Sequence, residues 1–145
     1  MSLVLDSSAT LAWLYRDEVS DSIRRIFDLI STDGAWVPSL WRLEVANGLQ
    51  IGIRRRRIDA GYRSAALADL SKYDIAIDEE TDSFAWTTTL QLADRFGLTL
   101  YDAAYLELAL RRHLPLATLD QPLRAASATA GIVLLGAAGP DSVTP

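Results

Sequence analysis

The chain alternates between two patterns of apolar and polar positions, one with the period of a strand and one with the period of a helix. Short apolar runs predict five strands, at residues 3–5, 35–37, 75–77, 116–119 and 132–135. Stretches with helical periodicity separate these runs from one another. This alternation is typical of an α/β protein, so the sequence predicts an α/β sandwich with a largely parallel sheet.

The predicted helices are bounded by turn and cap residues. The first follows residue 6, and the second has apolar residues three and four positions apart before it ends at the turn of Asp33 and Gly34. Pro38 is expected in the first turn of the third helix, where its missing amide costs nothing. That helix should end within the arginine run, and four more helices are expected at residues 59–73, 82–96, 101–112 and 122–130.

Length and composition limit the kinds of site that the chain can hold. With 145 residues, half of them hydrophobic, it can bury the core of one ordinary domain, expected over residues 1–135 and followed by a flexible tail at residues 136–145. There is no cysteine and only one histidine, His113, which excludes thiolate sites and a multi-histidine zinc centre. Any metal ion must therefore be held by oxygen ligands.

The charge is unevenly distributed. A formal net charge of −5 argues against a strongly basic scaffold for coating nucleic acid. Thirteen of the fourteen basic residues are nevertheless arginine, and four are consecutive, namely Arg54, Arg55, Arg56 and Arg57. Such a run could bind RNA phosphates, or it could be a solvated helix end that complements the helix dipole. The lack of a basic leader and of a long apolar segment predicts a soluble, cytoplasmic protein with no membrane span.

Four acidic residues occupy positions that suggest chemistry, although each also has a purely structural explanation. Asp6 and Asp120 follow predicted strands, where an aspartate commonly caps the next helix. Asp102 lies three residues after Thr99, which is the spacing of a capping box. Glu44 lies within the third helix, where solvent exposure is the usual explanation, but its neighbours on that helix face are mostly apolar.

Together the four acids are more informative than each one alone. The carboxyl ends of parallel strands lie along one edge of a sheet, where α/β proteins bind ligands. Asp6 and Asp120 should meet at that edge, and the helices that carry Glu44 and Asp102 can begin near it. Carboxylates brought together raise one another's pKa unless a cation neutralises them, and hard oxygen ligands favour Mg²⁺ or Mn²⁺. These ions bind phosphate esters and activate water, which indicates phosphodiester chemistry.

Four segments of the chain resemble the acidic motifs of the PIN-domain family. They are VLDSSA around Asp6, VPSLWRLEVANGL around Glu44, LTLYDAAYLELAL around Asp102 and PLATLDQPLRAA around Asp120. No acid of the family's motif is missing. The resemblance extends over nearly the whole chain, and the last two segments are similar to VapC-type toxins in particular.

The resemblance implies a three-layer α/β/α fold and a Mg²⁺- or Mn²⁺-dependent endoribonuclease, usually a homodimer. It also implies a role as the toxin of a toxin–antitoxin pair, neutralised by a VapB-type antitoxin. By residue matching, Asp6 and Asp102 would bind the metal ion, while Glu44 and Asp120 would complete the catalytic pocket. Three more residues match positions that often line this pocket, although each can equally be an ordinary helix or strand residue: Ser8, Asn47 and Thr118.

The tryptophans and the single histidine carry expectations apart from those of the four acids. At least one tryptophan is expected to face a partner, with Trp13 and Trp41 the foremost candidates, since the resemblance places the antitoxin groove beside the first and third helices. His113 closes a helix, so complementation of the helix dipole explains it better than catalysis does.

Other α/β classes fit the sequence less well. No glycine-rich loop follows the first strand, which excludes the common nucleotide-binding folds. The single lysine, Lys72, closes a helix instead of ending a late strand as in a response-regulator receiver. The remaining alternative is a catalytically silent PIN-like module that binds RNA or a protein partner, with its acids serving as helix caps. Metal-dependent RNA cleavage would distinguish the two.

Overall fold

The computed structural model describes residues 1–136, so all but the first residue of the predicted tail lies outside the described part. The strands in this part are β1 (Leu3–Leu5), β2 (Ala35–Val37), β3 (Ile75–Ile77), β4 (Leu116–Ala117) and β5 (Leu134–Leu135). The α-helices in it are α1 (Ser7–Leu14), α2 (Asp21–Asp33), α3 (Trp41–Arg54), α4 (Ala60–Leu70), α5 (Thr88–Phe96), α6 (Leu100–Arg112) and α7 (Gln121–Thr129). Two short 3₁₀ turns are also present, Arg16–Glu18 and Asp82–Phe84.

The five described strands pair in parallel in the order β3-β2-β1-β4-β5. From β1 the chain moves outward through β2 to β3, and it then returns to the other side of β1 with β4 and β5. The order therefore reverses between β1 and β4, where Leu5 pairs with Ala117. Ligands in α/β folds bind beside such a reversal, at the carboxyl ends of the strands. The residues that follow this pair are Asp6 and Thr118.

The central strand β1 is buried on both faces. Leu3, Val4 and Leu5 are each at most 1% exposed, and successive side chains in a strand point to opposite faces of the sheet. Helices must therefore cover both sides of the sheet, which gives three layers. The predicted α/β/α fold with a parallel sheet is confirmed.

Helices α1 and α3 pack side by side in the same direction, with little space between them. Leu11 lies against Gly48 and Tyr15 lies against Gly52, so each step of four residues along α1 matches a step of four along α3. A β-carbon at either glycine would overlap the facing side chain. The Tyr15 hydroxyl also donates a hydrogen bond of 3.0 Å to the carbonyl of Gly48. The two glycines therefore allow the close approach that fixes the register of the two helices.

The structure corrects two predicted helix boundaries. Helix α3 begins at Trp41 and not at Pro38, because the Pro38 carbonyl accepts a hydrogen bond of 3.1 Å from the Trp41 amide and closes a turn before the helix. The helix predicted at residues 82–96 is interrupted, since Thr87 has a φ of −120° and a ψ of −99° and α5 begins only at Thr88. Three consecutive threonines there lower the helix propensity.

The last two strands are shorter than predicted, with two residues each. Thr118 follows β4 and directs its hydroxyl to Asp6. After β5, Gly136 is buried, and its carbonyl accepts a hydrogen bond of 2.9 Å from Arg124.

The helices within residues 1–136 do not meet the length and polarity requirements of a membrane span. Each of them is too short or too polar to cross a bilayer.

Candidate active site

Asp6 follows β1 at its carboxyl end and is almost fully buried, with 3% of its surface exposed. Two hydroxyls donate hydrogen bonds to its Oδ2 atom, Ser8 Oγ over 2.6 Å and Thr118 Oγ1 over 2.8 Å. Although Asp6 precedes α1, its side chain makes no capping hydrogen bond to that helix. Helix capping therefore does not explain this aspartate.

The same two hydroxyls connect the start of α1 to the segment after β4. Ser8 Oγ accepts a hydrogen bond of 3.0 Å from the amide of Leu119, and Thr118 Oγ1 accepts one of 3.1 Å from the amide of Asp120. The two hydroxyl oxygens lie 3.3 Å apart. Both residues thus contact Asp6 and tie the ends of two neighbouring strands together.

Glu44 occupies the first turn of α3 and is half-buried. Its Oε1 atom accepts a hydrogen bond of 2.6 Å from the hydroxyl of Tyr105, a residue of α6 with no exposed surface. The register of α1 against α3 also sets Ser7 beside Glu44, where the serine hydroxyl lowers the pKa of the carboxyl group. Glu44 therefore does not lie on a solvated helix face.

Asp102 and Asp120 both lie at helix starts, where capping is observed. The Thr99 hydroxyl accepts a hydrogen bond of 3.1 Å from the amide of Asp102, as the spacing of these residues predicts. The Oδ2 atom of Asp120 accepts one of 3.0 Å from the amide of Leu123 and so caps α7. Capping accounts for the orientation of Asp120, but it leaves the charges of both aspartates beside the other acids.

The charges of the four acids act on one another. Burial is the largest cause that raises the pKa of Asp6, and the charge of Glu44 adds to it against two hydroxyl hydrogen bonds. Burial also raises the pKa of Glu44, with a further contribution from Asp102. Burial, followed by the charges of Asp120 and Asp6, raises the pKa of Asp102 to about 6. Each of the four carboxyl groups therefore lies within electrostatic range of at least one other.

These carboxylates do not form a closed metal cage. Among residues 1–136, no three His, Cys, Asp or Glu side chains come close enough to hold one metal ion together. Mg²⁺ typically binds one or two protein carboxylates and keeps several waters. Asp6 and Asp102, whose charges interact, offer such a pair of hard oxygen ligands. The donor chemistry therefore suits an ion that keeps part of its water shell.

Two other residues considered in the sequence lie apart from this group. Asn47 is exposed on α3 one turn after Glu44, and in the described part of the chain no hydrogen bond joins it to the four acids. His113 ends α6 in a left-handed conformation with a φ of 56°. It is a helix-terminating residue, as expected.

The arginine run divides into two parts. Arg54, Arg55 and Arg56 are exposed at the end of α3. Arg57 instead pairs with the acids of the first 3₁₀ turn, at 2.9 Å from Asp17 and 2.6 Å from Glu18. Its guanidinium also lies 4.1 Å from the centre of the Tyr15 ring. Internal contacts therefore explain Arg57, while the other three remain accessible to a ligand.

The tryptophans differ most from the prediction. Trp41 is 6% exposed, so the expectation that it faces a partner is wrong. Its Nε1 atom donates a hydrogen bond of 2.9 Å to Thr10, which satisfies the polar end of the indole inside the core. Trp13 stacks on Phe27, with ring centres 4.6 Å apart, and stays partly exposed. Trp86, which the sequence pattern did not single out, is 89% exposed.

Sequence reasoning missed Tyr105, which donates a hydrogen bond to Glu44, and Ser7, which lies beside Glu44 and lowers its pKa. Tyr105 follows Asp102 by three residues, so the two share a face of α6. Ser7 directly follows Asp6. A search for polar residues on the same helix faces as the acids would have found the tyrosine, whereas Ser7 needs the register of α1 against α3.

Solved structures are similar to this fold. The crystal structure of PAE2754 from Pyrobaculum aerophilum has a TM-score of 0.68 at 24% sequence identity, and the match covers 92% of this chain and 89% of that one. The crystal structure of FitAcB from Neisseria gonorrhoeae has a TM-score of 0.62 at 15% identity, and it covers 92% of this chain and 96% of that one. At these identities the similarity establishes the fold alone. No curated protein matches the chain significantly.

Family membership rests on a separate comparison. The family model of the PIN domain matches residues 3–128, which is most of the chain. The matched span includes all four acids that carry the resemblance, Asp6, Glu44, Asp102 and Asp120. The chain therefore belongs to the PIN-domain family.

Proposed function

We propose that this protein is a metal-dependent endoribonuclease that hydrolyses RNA phosphodiester bonds. PIN domains are generally nucleases, so family membership supports a hydrolase. The observation that carries the proposal is the group of interacting carboxyls beside the reversal of the sheet order, where the pKa of Asp102 is raised to about 6. Mutual repulsion between acids lowers the stability of a fold. Acids that stay close together in spite of it, with strongly shifted pKa values, are therefore typical of functional sites.

Asp6 and Asp102 are the residues that would hold the ion. A cation beside them would relieve the repulsion that contributes to the raised pKa of Asp102. Both hydroxyl hydrogen bonds to Asp6 end on Oδ2, so Oδ1 accepts from neither hydroxyl. Mg²⁺ or Mn²⁺, when bound, supplies positive charge for the phosphate oxygens and lowers the pKa of water.

The chain itself supplies the remaining functions. Ser8 and Thr118 fix the orientation of Asp6. Burial raises the pKa of Glu44, which makes it a better proton acceptor than an exposed carboxylate. In the proposed reaction Glu44 takes a proton from the water that attacks phosphorus. The bond between phosphorus and the 3′ oxygen breaks, and this oxygen takes up a proton from solvent, which leaves a 5′-phosphate and a 3′-hydroxyl.

Incubation with single-stranded RNA in EDTA, and then with added Mg²⁺ or Mn²⁺, tests this proposal. We expect cleavage only with the added ion, and fragments that carry 5′-phosphates. Asp6→Asn and Asp102→Asn should each abolish cleavage while the circular dichroism spectrum is unchanged. His113→Ala, which alters the helix terminus at the other end of α6 from Asp102, should cleave normally.

Three results would contradict the mechanism. They are cleavage in EDTA, cleavage by the Asp102→Asn protein, and products with a 2′,3′-cyclic phosphate. A cyclic product needs attack by the 2′-hydroxyl of the RNA, which is assisted by acid–base groups and needs no metal-activated water. A folded protein that binds RNA or a partner but cleaves no RNA would favour the catalytically silent module.

The proposed role is that of a toxin, which requires a surface for a VapB-type antitoxin. A groove of about 640 Å³ beside α1, α2 and α4 is a candidate for this surface, and it shares the first helix but not the third with the groove that the resemblance implies. Trp13 and Tyr73 line it, and the positive charges of Arg16, Arg24 and Lys72 outnumber Asp69, the one acid of its lining within residues 1–136. This combination suits an amphipathic acidic segment. Replacing Arg16 and Arg24 by Glu should raise the Kd for a co-expressed antitoxin, and calorimetry measures this Kd. An unchanged Kd would show that the antitoxin binds elsewhere.

A homodimer is also part of the proposal, since it accompanies the VapC resemblance. Analytical ultracentrifugation of the free protein would show a mass of twice 15.9 kDa if it is correct.

A further inference from the structure

We propose that Tyr105 is a positioning residue that holds the Glu44 carboxylate in the orientation needed for proton transfer, an inference that rests on the proposed nuclease function. The two residues lie on different helices, α6 and α3, and meet through a hydrogen bond of 2.6 Å from the Tyr105 hydroxyl to Oε1 of Glu44. Short hydrogen bonds to an ionised acceptor are among the strongest in proteins. One oxygen of Glu44, Oε1, is therefore fixed.

Tyr105 suits this role because its own side chain has no freedom to move. It is fully buried and is among the largest such side chains in the described core. Burial, and then the charges of Asp6 and Glu44, raise the pKa of its hydroxyl. Tyr105 is therefore a neutral hydrogen-bond donor throughout the physiological pH range. A donor of this kind favours the ionised form of its acceptor, which is the form that can take a proton.

Several groups face Glu44 from the elements packed around it. Burial is the largest cause that raises its pKa, and the charge of Asp102 adds to it. The hydrogen bond from Tyr105 on α6 and the hydroxyl of Ser7 on α1 oppose this rise, and Asp6 interacts with the charge of Glu44 as well. Ser7 lies close enough to Tyr105 to act on the pKa of its hydroxyl as well, in the direction opposite to burial. Side chains of three helices thus meet at one carboxylate, and of the tyrosine and the serine only the tyrosine is fully buried.

The first test compares Tyr105→Phe with Tyr15→Phe in RNA cleavage assays. Both changes remove one hydroxyl that bonds to α3, since Tyr15 donates a hydrogen bond of 3.0 Å to the carbonyl of Gly48. Tyr105→Phe should lower kcat about tenfold with little change in KM, as loss of a hydrogen bond to a charged group implies. The acidic limb of its pH–rate profile should move to higher pH. Tyr15→Phe should retain the wild-type kcat and pH profile. Equal kinetics for Tyr105→Phe and wild type, or equal losses in both variants, would overturn the inference.

The second test measures the carboxyl group without relying on cleavage. The chain contains five glutamates, so ¹³C-labelled glutamate gives a spectrum in which Glu44 can be assigned through a Glu44→Gln variant. In metal-free buffer the pKa of Glu44 should be higher in Tyr105→Phe than in the wild type or in Tyr15→Phe. An unchanged pKa would overturn the positioning of Glu44. If the wild type cleaves no RNA, the proposed function fails, whereas the positioning fails only if this pKa does not change.

Discussion

Arg111 binds both carboxylate oxygens of Asp78, with its two terminal nitrogens 3.1 and 2.6 Å away. Asp78 follows β3 and is 1% exposed. Glu107 is 3% exposed and lies 2.7 Å from Nε of the same arginine. One guanidinium therefore pairs with two buried acids, and Arg112 adds a second positive charge 3.9 Å from Asp78. The ion pair between Arg111 and Asp78 also joins the end of α6 to the edge of the sheet. Helix α6 carries two residues of the candidate site.

Arg111→Met should destabilise the protein by about 3–5 kcal/mol, because two buried carboxylates lose their nearest counter-ion. Urea denaturation measures the free energy of unfolding. Lys72→Met is the matched control, since the partner of Lys72, Asp69, lies 3.4 Å away on an exposed surface. Exposed pairs contribute little, so this control should unfold like the wild type. Equal unfolding midpoints for the two variants would show that the buried pair does not stabilise the fold.

Asp102→Asn should stabilise the metal-free protein at neutral pH. Burial and the charges of Asp120 and Asp6 raise the pKa of Asp102 from 3.8 to about 6, so the folded chain binds this proton more tightly than the unfolded chain. The free energy of unfolding of the metal-free wild type should therefore fall as the pH rises from about 4 to about 6. Asparagine carries no charge and removes that loss.

Thermal denaturation in EDTA across this pH range checks the expectation. Wild type and Asp102→Asn should have the same Tm below about pH 4, and the variant should have the higher Tm above about pH 7. Asp94→Asn, which alters an exposed acid on α5, should show no gain that grows with pH. A lower Tm of the Asp102→Asn protein at neutral pH would be evidence against repulsion within the acidic group.

Asp120 is expected to have two separable roles, since its carboxylate caps α7 and its charge acts on Asp102. Asparagine caps a helix about as well as aspartate, whereas alanine costs about 1 kcal/mol. Asp120→Asn should therefore be at least as stable as the wild type but cleave RNA more slowly, and Asp120→Ala should also cleave slowly and be less stable than Asp120→Asn by about 1 kcal/mol. Urea denaturation and cleavage rates on the same preparations distinguish these outcomes. A fully active Asp120→Asn protein would leave capping as the whole role of this residue.

The exposed arginines at the end of α3 should contribute RNA affinity that does not depend on sequence. Each phosphate that an arginine neutralises releases counterions, so the combined Arg55→Ala and Arg56→Ala change should flatten the dependence of log Kd on log salt concentration. Arg57 is left unchanged because it pairs with acids of the first 3₁₀ turn. Fluorescence anisotropy in EDTA measures binding without cleavage.

A control with the same charge removed elsewhere separates local contact from net charge. The combined Arg25→Ala and Arg95→Ala change alters exposed arginines on α2 and α5. Its salt dependence should stay close to that of the wild type. Equal slopes for both double variants would identify the arginine run as a solvated helix end.

The sheet and the positions of the acids could be predicted because the signals that define them are local. Strands β1 and β2 are short apolar runs that end directly at a polar or proline residue, and their predicted bounds match the observed ones. Asp6 lies directly beyond β1, and a parallel sheet brings the ends of its strands to one edge. The alternation of strands and helices therefore sufficed to predict that Asp6 and Asp120 lie at one edge of the sheet, where the charges of both act on Asp102.

The contacts between helices could not be predicted in this way. Tyr105 reaches Glu44 only because the register of α1, α3 and α6 brings the two together, and helical periodicity does not specify register between helices. The burial of Trp41 depends on Thr10, which accepts a hydrogen bond from its indole. Pro38 has the same sequence signature in a turn as in a first helical turn, so its carbonyl contact with the Trp41 amide decides between them.

The direct contact between Asp6 and Thr118 joins residues that are 112 positions apart in the sequence. The ribosome makes Thr118 112 residues after Asp6, so β4 can pair with β1 only after the whole intervening chain has been made. Pairing between such distant segments is also slow, because a long loop must close first. A nascent chain therefore has no assembled acidic group until the segment that carries Thr118 and Asp120 has left the ribosome.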